Sequence, residues 1–317
     1  MQQQQSPLFL PVAPQFAPPP AGYYDASAPP QHPPPQHLPP PPHPQPPNMF
    51  EVADARMEKL RLLAARFEIN PEWVKRLRSL ESFGIVMICD DSGSMNTAVD
   101  TPARSSNAAA GGGAAADPFG RVRTRWVEMC ETASVVCELG TALNDGGVDV
   151  FFLNRPPALG VTSASQLQHA FAQQPPQGYT PLTSRFKYVL EQKREVLRER
   201  NLLVLIATDG EPTDDAGTKD IQAFLQAVKA RPSTCFVQIM ACTDVEADIA
   251  WLTKLDEESK GLDVIDDFLS ERASILKAQG PNFKFSYGDY IVKALLGPSD
   301  EYFDTLDEVK GGCCSVA

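Results

Sequence analysis

Three short stretches of this 317-residue sequence carry oxygen-bearing side chains at close spacing. The first, Asp90-Asp91-Ser92-Gly93-Ser94-Met95, places a carboxylate and two hydroxyls on alternate residues from Asp90. The second, Gly178-Tyr179-Thr180-Pro181-Leu182, offers the Thr180 hydroxyl, and the third, Thr208-Asp209-Gly210, offers the Asp209 carboxylate. An all-oxygen donor set suits a hard divalent cation; Mg²⁺ takes six oxygens in near-octahedral geometry and keeps some of its water. Ser92, Ser94 and Thr180 carry neutral oxygens, and Asp90 and Asp209 carry charge. Gly93 allows the tight bend that turns both serines to one point. With so little protein charge around it, the cation keeps electrophilic character. The competing reading of the first stretch is a capped turn, because Ser and Asp are good helix caps; it leaves Thr180 and Asp209 without a role. Asp214 and Asp215 read as caps of the following helix, and Asp91 as either a surface charge or a support behind the ligands.

Other chemistries fit less well. An Asp-nucleophile, Mg²⁺-dependent phosphohydrolase also carries an Asp after its first strand, but it wants a second Asp two positions on. That position is Ser92 counting from Asp90 and Gly93 counting from Asp91. Ser-His-Asp catalysis needs a positioned histidine, and beyond the first 48 residues only His169 occurs, on an expected surface helix. Neither a G-x-x-x-x-G-K-[ST] loop nor a strand-associated G-x-G-x-x-G is present. Cys130 and Cys137 lack partners for a zinc site. The net charge of -12 repels phosphate backbones, so nucleic acid is not an expected partner. The expectation is a binding protein, not an enzyme.

These residues need strand ends to hold them. Gly84 to Cys89, Val148 to Leu153, Asn201 to Thr208, Thr234 to Ala241 and Leu262 to Phe268 read as strands, several of them continuous apolar runs as in a sheet buried on both faces. Helices are expected over Val122 to Ala142, Ser163 to Phe171, Thr183 to Arg198, Thr218 to Ala230, Val245 to Glu257, and near 269–278 and 287–296. Such alternation specifies an α/β fold: a doubly wound, mostly parallel, Rossmann-like sheet with helices on both faces. Ligands of such sheets bind beyond the carboxyl ends of strands, where the strand order reverses.

Asp90, Ser92 and Ser94 after the first strand, Thr180 in a middle loop and Asp209 after a later strand resemble the metal-ion-dependent adhesion site of the von Willebrand factor type A (vWA) family. The resemblance covers about residues 83 to 300. It implies that these five residues hold Mg²⁺, with Mn²⁺ or Ca²⁺ as alternatives, and that an acidic residue of a protein ligand completes the shell.

The flanks differ in character. Eighteen of the 30 prolines lie in residues 1–48, which contain no Lys or Arg; this Pro/Gln-rich tail is expected to be disordered. Its PxxP spacings fit SH3- or WW-type grooves, although any run this dense in proline contains them. Residues 49–82 read as a helical extension, two helices broken at Asn70-Pro71, packed on the edge of an 83–300 domain. Residues 96–120, rich in Ala, Gly and Ser, form a flexible insertion beside the metal face, where the family has a short connection. Residues 301–317 read as a C-terminal tail ending in a CaaX-like box, with Cys314 as a prenylation site and Cys313 as a palmitoylation site. No secretory signal or spanning segment is legible, so the expected location is cytoplasmic, peripheral on a membrane face through the C-terminal lipid. The cysteines at 89, 130, 137, 235 and 242 read as reduced, buried residues.

Overall fold

Apolar runs set the sheet, and the alternation of side chains within each run sets its two faces. The computed structural model describes residues 49–99, 123–243, 251–252 and 260–308. Strands β1 (Phe83–Cys89), β2 (Val148–Phe152), β3 (Ala158–Val161), β4 (Asn201–Thr208), β5 (Cys235–Ala241) and β6 (Leu262–Ile265) form a six-stranded sheet in the order β3-β2-β1-β4-β5-β6. All pairings are parallel except β2 with β3. The chain winds outward from β1 on one side and from β4 on the other, so the order reverses between these two strands. Their register pairs Cys89 with Ala207, and the Asp90 amide extends the ladder to the Ala207 carbonyl at 2.9 Å. Asp90 and Asp209 therefore leave neighbouring strands at the same end of the sheet.

Helices α1 (Met49–Arg66), α2 (Pro71–Leu77), α3 (Arg125–Leu143) and α4 (Ala164–Ala172) lie on one face. With them lie α8 (Phe268–Gln279), α9 (Tyr287–Leu296) and α10 (Glu301–Asp304). Ile85, Met87, Cys89, Leu203 and Leu205 join the core of that face. Helices α5 (Leu182–Gln192), α6 (Arg194–Glu199) and α7 (Ile221–Lys229) cover the other face, packing on Val86, Ile88, Leu202, Val204 and Ile206. This is the expected doubly wound, mostly parallel α/β fold with helices on both faces. Among the described residues no helix is long and apolar enough to cross a membrane.

Several expectations need correction. Strand β3 was not foreseen: it is four residues long, half exposed, and follows Pro156-Pro157. The helix expected over Thr183 to Arg198 is two, α5 and α6, broken at Lys193 (φ -100°, ψ 14°), whose amine pairs with Asp149 of β2. Residues 301–308 are not a tail, because Phe303 and Leu306 are buried in the core. Asp220, not Asp214 or Asp215, caps α7; Asp214 instead accepts the amides of Ala216 and Thr218 in a tight turn. The break at Asn70-Pro71 is present, with Asn70 capping α2 through the Glu72 amide. Cys89, Cys137 and Cys235 are buried, Cys130 and Cys242 are partly buried, and all five are free. Residues 1–48, the helix expected over 245–257 apart from 251–252, residues 100–120 of the insertion, and Cys313 and Cys314 lie outside the described residues.

Candidate metal centre

The carboxyl ends of β1 and β4 gather four of the five expected ligands into one hydrogen-bonded cluster. Asp90 is fully buried. Its Oδ1 accepts the Ser92 amide at 2.9 Å and its Oδ2 accepts the Thr208 hydroxyl at 2.7 Å, so Thr208 of β4 fixes a carboxylate that belongs to β1. The Ser92 and Ser94 hydroxyls lie 3.0 Å apart, and the Ser94 hydroxyl donates to Asp209 Oδ1 at 2.7 Å. Gly93 sits at the bend between the serines, and its amide donates to the Gly178 carbonyl at 3.2 Å.

Thr180 arrives by a separate route. The Gln177 amide donates to the Asp91 carbonyl at 2.7 Å, tying the middle loop to the β1 loop. Gly178 has φ +98°, and a Cβ there would lie 2.6 Å from Asn154 Oδ1, so the loop needs glycine twice over. Thr213 holds Thr180 through its hydroxyl and its amide, at 3.1 and 2.9 Å. Thr180 is nearly buried, yet its hydroxyl makes no bond to the other four residues.

Two basic residues were not foreseen. Arg125, the first residue of α3, donates to Asp209 Oδ2 at 2.9 Å and to the Thr243 hydroxyl at 2.8 Å. Arg155 is buried and donates to Asp91 Oδ2 at 2.7 Å, while the Asn154 amide donates to Asp91 Oδ1 at 2.7 Å. Asp91 is therefore a buried, fully paired support of the loop and not a surface charge. Arg155 also stacks over Trp126, 4.6 Å from the ring centre, which joins α3 to the same support.

No family model matches the chain, and no curated protein matches it. A solved structure of the manganese-loaded Plasmodium vivax TRAP protein is similar at 12% identity, covering 61% of this chain and 72% of that chain, with a TM-score of 0.37. The fold described above rests on strand order and register, not on that likeness.

The electrostatics of the cluster favour a cation. Burial, and then the neighbouring Asp209 carboxylate, push the Asp90 carboxyl from 3.8 up to about 7, against the pull of its bonds from Thr208 and Ser92. Arg125 pairs with Asp209, whereas the bonds to Asp90 come from neutral donors, the Ser92 amide and the Thr208 hydroxyl. Among the described residues no group of three His, Cys, Asp or Glu side chains could hold a metal ion; the candidate set is two carboxylates with the Ser92 and Ser94 hydroxyls, all oxygens, of the kind a hard cation takes.

The base of the insertion is ordered around this cluster. Ala98 pairs with Thr124 in an antiparallel bridge, and the Arg125 amide donates to the Thr97 carbonyl at 3.0 Å. The insertion thus leaves and returns at one point, and α3 starts undisturbed, capped by Thr124.

Proposed function

We propose that this chain is a non-catalytic, vWA-like protein-interaction domain. In this reading Asp90, Ser92, Ser94, Thr180 and Asp209 hold a divalent cation that captures an acidic residue of a protein partner. The observation that carries the reading is the bonded cluster of Asp90, Ser92, Ser94 and Asp209 at the point where strand order reverses. Asp90 and Asp209 supply charge, and the serines supply neutral oxygens whose hydrogens can still point to carboxylates, as Ser94 already does toward Asp209. Thr180 stands ready on a loop fixed by Thr213. When bound, the cation supplies a positive pole that accepts a carboxylate oxygen.

The 3.0 Å separation of the serine hydroxyls is a hydrogen bond between them; the all-oxygen donor set is of the kind that Mg²⁺ takes. Mn²⁺ is an alternative that the chemistry of the donors admits equally. Hydrolysis has no comparable support, since Ser92 occupies the position of the second Asp that a phosphohydrolase of the Asp-nucleophile type uses.

Saturating Mg²⁺ or Mn²⁺ at about 100 times its dissociation constant is expected to stabilise the wild-type chain by about 2.7 kcal/mol, a rise of roughly 5 °C or more in Tm. Asp90→Ala is expected to abolish that rise and any cation-dependent capture of a partner. Equal shifts for the two proteins would overturn the reading.

The same proposal includes a membrane tether through a prenylated Cys314, with palmitoylated Cys313 as the second attachment that a single lipid needs. The Pro-rich tail would add an SH3- or WW-type contact. A chain lacking the last three residues is expected to leave the membrane pellet, and wild type that is wholly in the supernatant of its native cell would sink the tether.

A further inference from the structure

Arg125 occupies a position that local chemistry disfavours. It opens α3, and the first turn of a helix favours acidic over basic side chains. It is nonetheless only 8% exposed, with its guanidinium engaged by Asp209 Oδ2 and the Thr243 hydroxyl. Asp209 divides its carboxylate, giving Oδ2 to the guanidinium and Oδ1 to the Ser94 hydroxyl. Asp91 is neutralised separately by Arg155.

The charge of the cluster follows. With Asp90 ionised, as a bound cation would require, Asp90 and Asp209 contribute two negative charges and Arg125 one positive, a single net negative charge at a buried site. A divalent cation would turn this into a single net positive charge. One carboxylate from outside would bring the assembly back to neutrality, the state that burial favours. Without the guanidinium, the two aspartates alone would neutralise the cation and leave it little attraction for an incoming anion.

We propose that Arg125 is the specificity-determining residue of this site: by neutralising Asp209 it makes cation and partner carboxylate bind as a coupled pair. The proposal rests on the metal-dependent reading above. Coupling between two ligands is reciprocal, so a carboxylate must tighten the cation as much as the cation tightens the carboxylate.

The test is a titration of the full chain with Mn²⁺, followed by water-proton relaxation, in acetate or in chloride of equal ionic strength. Wild type is expected to bind Mn²⁺ severalfold more tightly in acetate. Arg125→Gln, which keeps a donor to Asp209, is expected to bind Mn²⁺ on the order of tenfold more tightly in chloride, the effect of removing one charge near a dication, and to lose the acetate response. Arg125→Lys, which keeps the charge, is expected to retain that response. In EDTA, Arg125→Gln should melt lower than wild type and recover more on adding Mn²⁺. The proposal is overturned if Arg125→Gln binds Mn²⁺ no better in chloride or keeps the full acetate response. It is also overturned if Arg125→Gln stays unfolded with Mn²⁺ present, which would make Arg125 structural. Wild type that takes up no Mn²⁺ under either condition overturns the metal reading itself.

Discussion

At the scale of single residues, charge is buried away from the candidate site as well. Glu271 of α8 is 2% exposed, with Oε1 3.4 Å from the Lys293 amine of α9. Burial lifts its carboxyl from 4.5 to about 7, and Asp307 adds to the rise, while Lys293 opposes it. Burial also pushes the Lys293 amine down, but the carboxylates of Glu271, Asp263 and Asp307 outweigh this and raise it. The two directions are compatible, because Asp263 and Asp307 keep the amine charged whichever form Glu271 takes. Glu271 thus holds its proton more tightly in the folded chain than in the unfolded one. Its contribution to stability is fully present below pH 4.5 and is lost as pH rises through about 7. Glu271→Gln removes this loss. The stability of the variant relative to wild type is expected to climb between pH 5 and 8, by about 1–3 kcal/mol. Parallel Tm-against-pH curves for the two proteins would exclude the effect.

At the scale of elements, how much was legible depends on how far each element's own pattern determined it. The runs at β1, β4 and β5 are buried on both faces, and nothing but a central parallel strand accommodates seven or eight such residues so short of helix length. Asp90 and Asp209 directly follow β1 and β4, so the two carboxylates of the candidate site were placed along with those strands. Edges were less so. Strand β3 depends on β2 for its existence, since two of its four residues face solvent. Strand β6 stops at Ile265, short of Phe268, because Asp267 caps α8 through the amides of Leu269 and Ser270. Helix α7 starts at Ile221, past Thr218, because the Asp214 turn and the Thr213–Lys219 bridge use the intervening backbone. Arg125 was missed for a different reason. Its partners, Asp209 and Thr243, are 84 and 118 residues away, beyond any periodicity. The available signal was a basic residue in the first turn of a helix, a local rule broken, and such conflicts tend to mark functional sites.

At the scale of the whole molecule, the question is whether the helical extension can be separated from the domain that carries the site. The sequence places a boundary near residue 82, yet Leu60, Trp73, Val74, Leu77 and Leu80 are each at most 3% exposed and share one core with the sheet. Trp73 meets Phe303 edge-on at 4.9 Å and Phe285 at 6.3 Å. The turn between α1 and α2 lies so close to α9 that a Cβ on Gly288 would sit 2.1 Å from the Phe67 carbonyl oxygen. The Asn70 amide donates to Asp289 Oδ1 at 2.7 Å and the Ser286 hydroxyl to the Glu68 carbonyl at 2.8 Å. Burying five such side chains is worth on the order of 10 kcal/mol, as much as the net stability of a typical domain. Helix α1 also packs on α3, whose first residue is Arg125. A chain that begins at residue 83 is therefore expected to lose its cooperative thermal transition, and with it any Mg²⁺-dependent shift, whereas a chain that begins at residue 49 keeps both. Calorimetry of the two truncations decides the matter: a transition for the shorter chain within a few degrees of the longer one would show that the extension is dispensable.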